Sequence, residues 1–244
     1  MFSFILIKHG FVISHGFGHD KSIHFNENLA IISDKLLVRH SDYKLNFVSE
    51  MEHKYFIFNK PFGTLCQFTG EESDSLLGDF YDYPKDVYSV GRLDKDSEGL
   101  LLLTNDNRLK DKVLNPSKKK AKKYLVQVDG AITSEAVTQL QNGSIQIKHK
   151  GKAYRVAPAK CKIVPQPAIE ERDPPIRVRQ NIPTSWIELE LTEGKNRQVR
   201  KMTAAVGFPT LRLLRISLGE ILLEGLKIGE VKELSREEAY KALR

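Results

Sequence analysis

Residues 99–106 read GLLLLTND, four leucines in succession with a glycine before them and a polar end after. The run is far too short to cross a membrane and suits a strand buried on both faces. It therefore predicts the centre of a sheet covered on each side, which restricts the chain to layered architectures. Directly after it, NRLKDKVL reads as a helix begun at the Asn105-Asp106 cap.

The rest of the chain from Lys54 follows in short elements. KYFIFNKP reads as a strand running into Lys60-Pro61, and FGTLCQF continues it after a glycine turn. AKKYLVQVDG alternates as a strand should, and TSEAVTQLQNG is a helix with a Thr133 cap and a Gly143 stop. Ser144 to Val164 reads as a hairpin turned at Gly151, and five prolines between residues 165 and 183 then predict a long loop. WIELELTEG is a strand delivering the chain into the helix KNRQVRKMTAAVG. There Val199, Met202 and Val206 form the inward stripe, while Arg197, Arg200 and Lys201 share an outer, cationic face. Further strands lie between PTLRLLRISLG and GEVKEL, before a last helix with the capping box Ser235 to Glu238. Strands outnumber helices and alternate with them irregularly, so the fold class is α+β.

Two domains are expected: an extension over residues 1–53, loosely ordered, and a catalytic domain over 54–244. The extension carries five Lys/Arg and six Asp/Glu; the remainder carries 33 against 25. A positive field confined to the second part favours a polyanionic partner, of which nucleic acid is the commonest. The extension holds six of the seven histidines. His15, His19 and His24 have no grouped acid or cysteine, so they read as loop histidines and no metal is expected. Cys66 and Cys161 lack CxxC spacing and read as small core residues. With no apolar run of spanning length and no leader, the chain is expected in the cytoplasm, without a membrane partner and as a monomer by default.

Three residues are candidates for chemistry: Asp94 at the foot of the buried strand, Tyr124 on a strand after a lysine run, and Arg200 on the basic helix. Each has an ordinary reading as well. Asp94 could cap a turn that Gly99 permits, Tyr124 could be a core aromatic, and Arg200 could pair with any surface acid.

Together they gain meaning, because GRLDKDSEGLLLLTND resembles the signature G-R-L-D-x-x-(S/T)-x-G-L of the pseudouridine synthases of the RsuA branch. The matching residues are Gly91, Arg92, Leu93, Asp94, Ser97, Gly99 and Leu100. NKPFG at 59–63, KKYLV around Tyr124 and EGKNRQVRKM at 193–202 match the family's other motifs in order, so the resemblance covers residues 54–238. RDPPIRVRQNIPTSW and TAAVGFPTLRL are most similar to branch members that modify large-subunit ribosomal RNA. Many relatives carry an N-terminal S4-type RNA-binding module. Residues 1–53 lack its helix length and its charge.

The resemblance implies the pseudouridine synthase fold, a mixed and mostly antiparallel sheet with flanking helices and a central RNA-binding cleft. It implies conversion of uridine to pseudouridine in ribosomal RNA, with no cofactor, nucleotide or metal. Asp94 would be the reacting carboxylate, and Arg200 the partner that keeps it ionised where burial alone would neutralise it. Tyr124 would stack on the target uracil, which must first be swung out of the RNA. Arg92 would fill the vacated space or contact the neighbouring phosphate, or else brace the loop of Asp94. Lys118, Lys119, Lys120, Lys122 and Lys123, with Arg197 and Lys201 of the basic helix, are the candidate RNA contacts, followed by Arg172, Arg177 and Arg179 of the proline-rich loop.

Two other classes share parts of this pattern. LDKDSEG shares the D-x-D spacing of haloacid-dehalogenase-type phosphatases, but no later acidic pair follows a strand to complete a Mg²⁺ site. A non-catalytic ribosome assembly factor on the same fold has the same basic composition. It would have no use for a carboxylate facing RNA phosphates, which repel it.

Overall fold

The computed structural model describes residues 52–176 and 182–244, preceded by short backbone strands between residues 3 and 49. The chain divides into two compact units, residues 1–52 and 53–244. What was expected of the extension, including His15, His19 and His24, lies outside the described residues. So do Arg177 and Arg179.

In the second unit the strands are β1 (Tyr55–Lys60), β2 (Tyr88–Ser89), β3 (Glu98–Thr104), β4 (Lys122–Asp129), β5 (Gln146–His149) and β6 (Lys152–Arg155). They continue with β7 (Lys160–Val164), β8 (Thr184–Leu191), β9 (Thr210–Leu218), β10 (Ile221–Leu222) and β11 (Val231–Glu233). The helices are α1 (Asn107–Leu114), α2 (Ser134–Gln141), α3 (Gln198–Ala205) and α4 (Arg236–Tyr240). The main sheet runs β7-β8-β4-β9-β3-β1-β11, with β10 against β9 and β2 against β3. All neighbours on this path are antiparallel except β9 and β3. This is the α+β class that the element pattern predicts and the mixed, mostly antiparallel sheet that the resemblance implies.

The leucine run occupies the position it requires. Leu100, Leu101, Leu102 and Leu103 are all fully buried, each contributing about 1.5 to 3 kcal/mol of apolar transfer. Alternation sends them to two sides. Leu100 and Leu102 join a core with Ile57, Leu214 and Leu218, closed by α1 and α4. Leu101 and Leu103 pack with Phe56, Phe58, Leu77 and Tyr83 under the loop that follows β1. On this second face the other half of the sheet builds a separate core, in which Val126, Val128, Ile187, Leu189 and Leu213 meet α2 and α3. The second face thus carries two cores with a seam between them.

Local signals set the helix starts. Asp106 accepts from the amides of Arg108 and Leu109 at α1, Thr133 from Ala136 at α2, and Ser235 shares a reciprocal box with Glu238 at α4. Two expectations fail. FGTLCQF forms no strand, only an isolated bridge between Thr64 and Ser75, because the turn after Lys60 carries it over the sheet face instead of along an edge. The hairpin turned at Gly151 is limited to β5 and β6, while β7 leaves it to pair with β8 at the sheet edge.

Candidate active site

Four residues in register define the floor of the seam. Tyr124 lies opposite Arg215, Arg215 opposite Gly99, and Gly99 opposite Lys60, so all four share the face between the two cores. Gly99 has φ +98°, and a Cβ there would stand 2.3 Å from the Arg215 carbonyl oxygen. Only glycine lets the parallel strands close at this point. Arg215 is buried and donates through Nε to the Leu100 carbonyl at 2.7 Å, while one of its terminal nitrogens has no hydrogen-bond partner among the described residues. Lys122, two residues before Tyr124, belongs to the same face by alternation. Burial, and then Arg215, push its ammonium down to about 8.

The loop of residues 91–97 lies over this floor. Lys60 is fully buried, and its Nζ donates to the carbonyls of Pro61 (2.9 Å), Thr64 (2.8 Å) and Lys95 (3.4 Å). The amide of Gly63 donates to the same Lys95 oxygen at 2.9 Å. Removal from water pushes the Lys60 ammonium down to about 8, despite nearby Cys66, Glu98, Asp96 and Asp94. On the other side of Asp94, the Leu93 amide donates to the Cys66 sulfur and the thiol donates back to the Leu93 carbonyl, both at 3.3 Å. The backbone is therefore tied down on both flanks of Asp94. The side chain of Asp94 is 35% exposed, neither in bulk solvent nor sealed.

Across the loop stands the start of α3. Glu193 fixes its approach by accepting from the Tyr154 hydroxyl (2.6 Å), the Ala157 amide (2.9 Å) and the Gln198 side-chain amide (2.5 Å). Burial opposes its charge, but these donors outweigh it and hold the Glu193 carboxyl below its ordinary range. The turn ends at Arg197, which has φ +51° and stands as the N-cap outside the helix. Arg197 donates to both oxygens of Asp96, at 2.9 and 2.8 Å, and its Nη1 is 3.9 Å from Asp94 Oδ2. Arg200 donates through Nη2 to the Asp96 carbonyl and sets Nε 3.3 Å from Asp96 Oδ2, without hydrogen-bond alignment at that nitrogen. Burial lowers the pKa of Arg200 most, and Asp96 offsets part of that. Burial also works against the charge on Asp96; the hydrogen bonds from Arg197 and the charge of Arg200 prevail and keep its carboxyl below its ordinary range.

The structure thus gathers Asp94, Arg197, Arg200, Tyr124 and Lys122 about one seam but differs from expectation in two respects. The ion pair of Arg200 is with Asp96, and the cation within reach of Asp94 is Arg197. Arg197, Arg200 and Lys201 do not share an outer face: Arg197 precedes the helix, Arg200 is 13% exposed, and Lys201 turns back onto Asn196. The lysine run is divided as well. Lys120 donates to the Leu243 carbonyl, Lys122 to the Lys120 carbonyl, and Lys123 pairs with Glu188 at 3.7 Å, whereas Lys118 and Lys119 are exposed. Arg92 is exposed beside Asp94. Arg172 stacks 4.2 Å above the Phe62 ring, bringing the proline-rich loop to the site.

The sequence assigns no site role to Lys60, Cys66, Glu193, Arg215 or the buried pair Glu98–Arg212, although Lys60, Glu98 and Glu193 lie inside the quoted motifs. On the opposite face, Arg212 grips Glu98 at 2.8 and 3.0 Å and also holds the Glu170 carbonyl at 2.9 Å. An open cavity of about 610 Å³ adjoins that pair, walled by Ile169, Leu214, Ile216 and Leu226, and lined by no expected site residue. Among the described residues no group of histidine, cysteine and carboxylate side chains could hold a metal, and no helix is long and apolar enough to cross a membrane.

A mixed sheet whose central strand follows a guarded aspartate, faced by a basic helix, defines a class, and comparison with known proteins gives it a name. The model of the RNA pseudouridylate synthase family matches residues 54–205, and the chain belongs to that family. It is 47% identical over 187 residues to a ribosomal large subunit pseudouridine synthase E of Vibrio parahaemolyticus, covering 77% of this chain and 76% of the relative. A synthase of the same name from Xanthomonas axonopodis is 45% identical, covering 70% of this chain and 88% of the relative. A crystal structure of a pseudouridylate synthase aligns with a TM-score of 0.64 at 28% identity, covering 80% of this chain and 76% of the other. The enzymatic reading therefore prevails over that of a non-catalytic RNA binder.

Proposed function

We propose that this enzyme isomerises one specific uridine of large-subunit ribosomal RNA, acting as a monomer in the cytoplasm, with Asp94 as the reacting carboxylate. In that reaction the bond from ribose C1′ to uracil N1 breaks, the base turns, and C5 joins C1′. The proton lost from C5 is balanced by one gained at N1. Nothing else enters or leaves, so the site needs a charge, a surface for the base and a grip on RNA rather than a cofactor.

The observation that carries the reading is the placement of Asp94. It is the carboxylate in this cluster that makes no hydrogen bond to a guanidinium, it is half exposed, and two arginines stand beyond it. An aspartate so placed lies near a guanidinium yet can meet an everted nucleoside. Tyr124 supports the uracil as a stacking surface, with stacking of this kind worth about 1 to 3 kcal/mol per base. Lys118, Lys119, Lys122, Arg92 and Arg172 serve the phosphates around the cleft. The relatives' names favour the large subunit as the source of substrate. The test is chemical mapping of pseudouridine in ribosomal RNA from cells with and without this protein. One large-subunit uridine should lose its modification, and identical maps would end the reading.

A further inference from the structure

We propose that Arg172, stacked on Phe62, forms a platform for the RNA base next to the target uridine, so that the enzyme holds two consecutive nucleotides by their rings. The inference rests on the proposed function and gives Arg172 a part beyond general phosphate contact. Its basis is a planar cation whose orientation the protein itself settles. The Arg172 guanidinium carbon lies 4.2 Å from the centroid of the Phe62 ring, within the range of a cation–π contact. Its Nε donates to the Pro174 carbonyl at 2.8 Å. Among the described residues its two terminal nitrogens make no further hydrogen bond or ion pair.

Both halves of the platform are tied down beside Asp94. Phe62 stands between Pro61, whose carbonyl accepts from Lys60 at 2.9 Å, and Gly63, whose amide donates to the Lys95 carbonyl at 2.9 Å. Lys95 follows Asp94 directly, so the ring and the acid belong to one braced stretch of backbone. On the side of the proline-rich loop, Arg212 donates to the Glu170 carbonyl at 2.9 Å, two residues before Arg172, and Ile169 packs against the core around Leu100 and Leu214. The charge of Arg172 also bears on Arg200, which sets the two cations on the same side of the cleft. Phe62 and Arg172 are both half-buried, neither sealed in a core nor free in solvent.

A phosphate contact has no need of this arrangement. Lys118 and Lys119 offer charge from exposed positions with no ring beneath them. A guanidinium held on an aromatic ring presents a second flat face, and an unstacked base lies down on such a plane. Swinging one uridine out toward Asp94 strips its neighbour of a stacking partner on that side. The platform gives that neighbour a surface in return. Lysine has the charge for this position but lacks the plane.

The test measures equilibrium binding, which needs no turnover, with the full chain and the ribosomal RNA transcript that carries the mapped uridine. Arg172→Lys should bind it at least about fivefold more weakly, the low end of one lost stacking contact. The slope of log affinity against log salt should stay the same, because the charge is kept. Phe62→Leu should lose a similar factor. With the nucleotide on either side of the uridine made abasic, one at a time, there should be one RNA on which wild type and Arg172→Lys bind alike. Wild-type affinity in Arg172→Lys, with a salt slope smaller by about 1 in Arg172→Ala, assigns the side chain to a phosphate and overturns the proposal. A loss in Arg172→Lys that persists on both abasic RNAs overturns it as well. If mapping finds no modified uridine, the reading of Asp94 falls instead. Binding of oligouridylate against an abasic oligomer of equal length then decides the platform by itself: Arg172→Lys should weaken the first and not the second, and equal affinities for wild type and variant on both sink it.

Discussion

The ammonium of Lys60 lies 3.4 Å from the carbonyl oxygen of Lys95, the residue between Asp94 and Asp96. A fully buried cation with three carbonyl partners and no acid bonded to it supports the loop at a cost, because burial lowers its pKa from 10.5 to about 8. Between those values the unfolded chain binds the proton and the folded chain releases it, so stability rises with pH through that window. Urea unfolding should show wild-type protein gaining about 1 to 2 kcal/mol from Lys60 between pH 7.5 and 9.5. Lys60→Met should lose that part of the gain, and an equal gain in both proteins would show that the buried amine keeps its proton through that window.

Asp94→Asn should abolish pseudouridine formation and leave RNA affinity within about threefold, because the exchange keeps shape and removes the reacting charge. Filter binding and chemical mapping on the same transcript separate the two effects. Retained turnover in this variant removes Asp94 from the chemistry.

For Tyr124, the expected losses differ by substitution. Tyr124→Ala should lower single-turnover rates by about 5- to 150-fold, the span of one lost stacking contact, whereas Tyr124→Phe should retain most activity. Equal rates in all three proteins would mean that the ring serves only the core it borders.

The pair Glu98–Arg212 should behave as structure. Its side chains are 3% and 6% exposed, so Glu98→Gln leaves a buried guanidinium uncompensated and should cost about 3 to 5 kcal/mol in urea unfolding. Replacing both residues with leucine should recover most of that loss. A double variant no more stable than Glu98→Gln would show that the pair is more than an isolated buried contact.

Much of the fold was legible because its signals are local. A leucine run, three side-chain caps and a five-proline segment each state their role within a few residues. The extent of the hairpin after Gly143 was not legible, since Lys160 to Val164 chooses β8, and no residue within the hairpin encodes that distant partner. At the site, the ordered motifs single out Asp94, Tyr124 and the arginines as candidates. They could not say which acid each arginine would hold, because Asp94 and Asp96 are two residues apart and the turn of the loop decides. Arg212 was missed for the same reason, lying 114 positions from its partner Glu98.

That separation bears on how the enzyme comes into being. The strand after Asp94 meets its parallel neighbour, β9, only near the end of the second unit. Closing so long a loop is slow, and its entropy must be met before the contact rewards it. While the chain is being made, Asp94 emerges long before Arg197, Arg200 or β9, so the central sheet and the cluster beside it close late in the synthesis of the second unit.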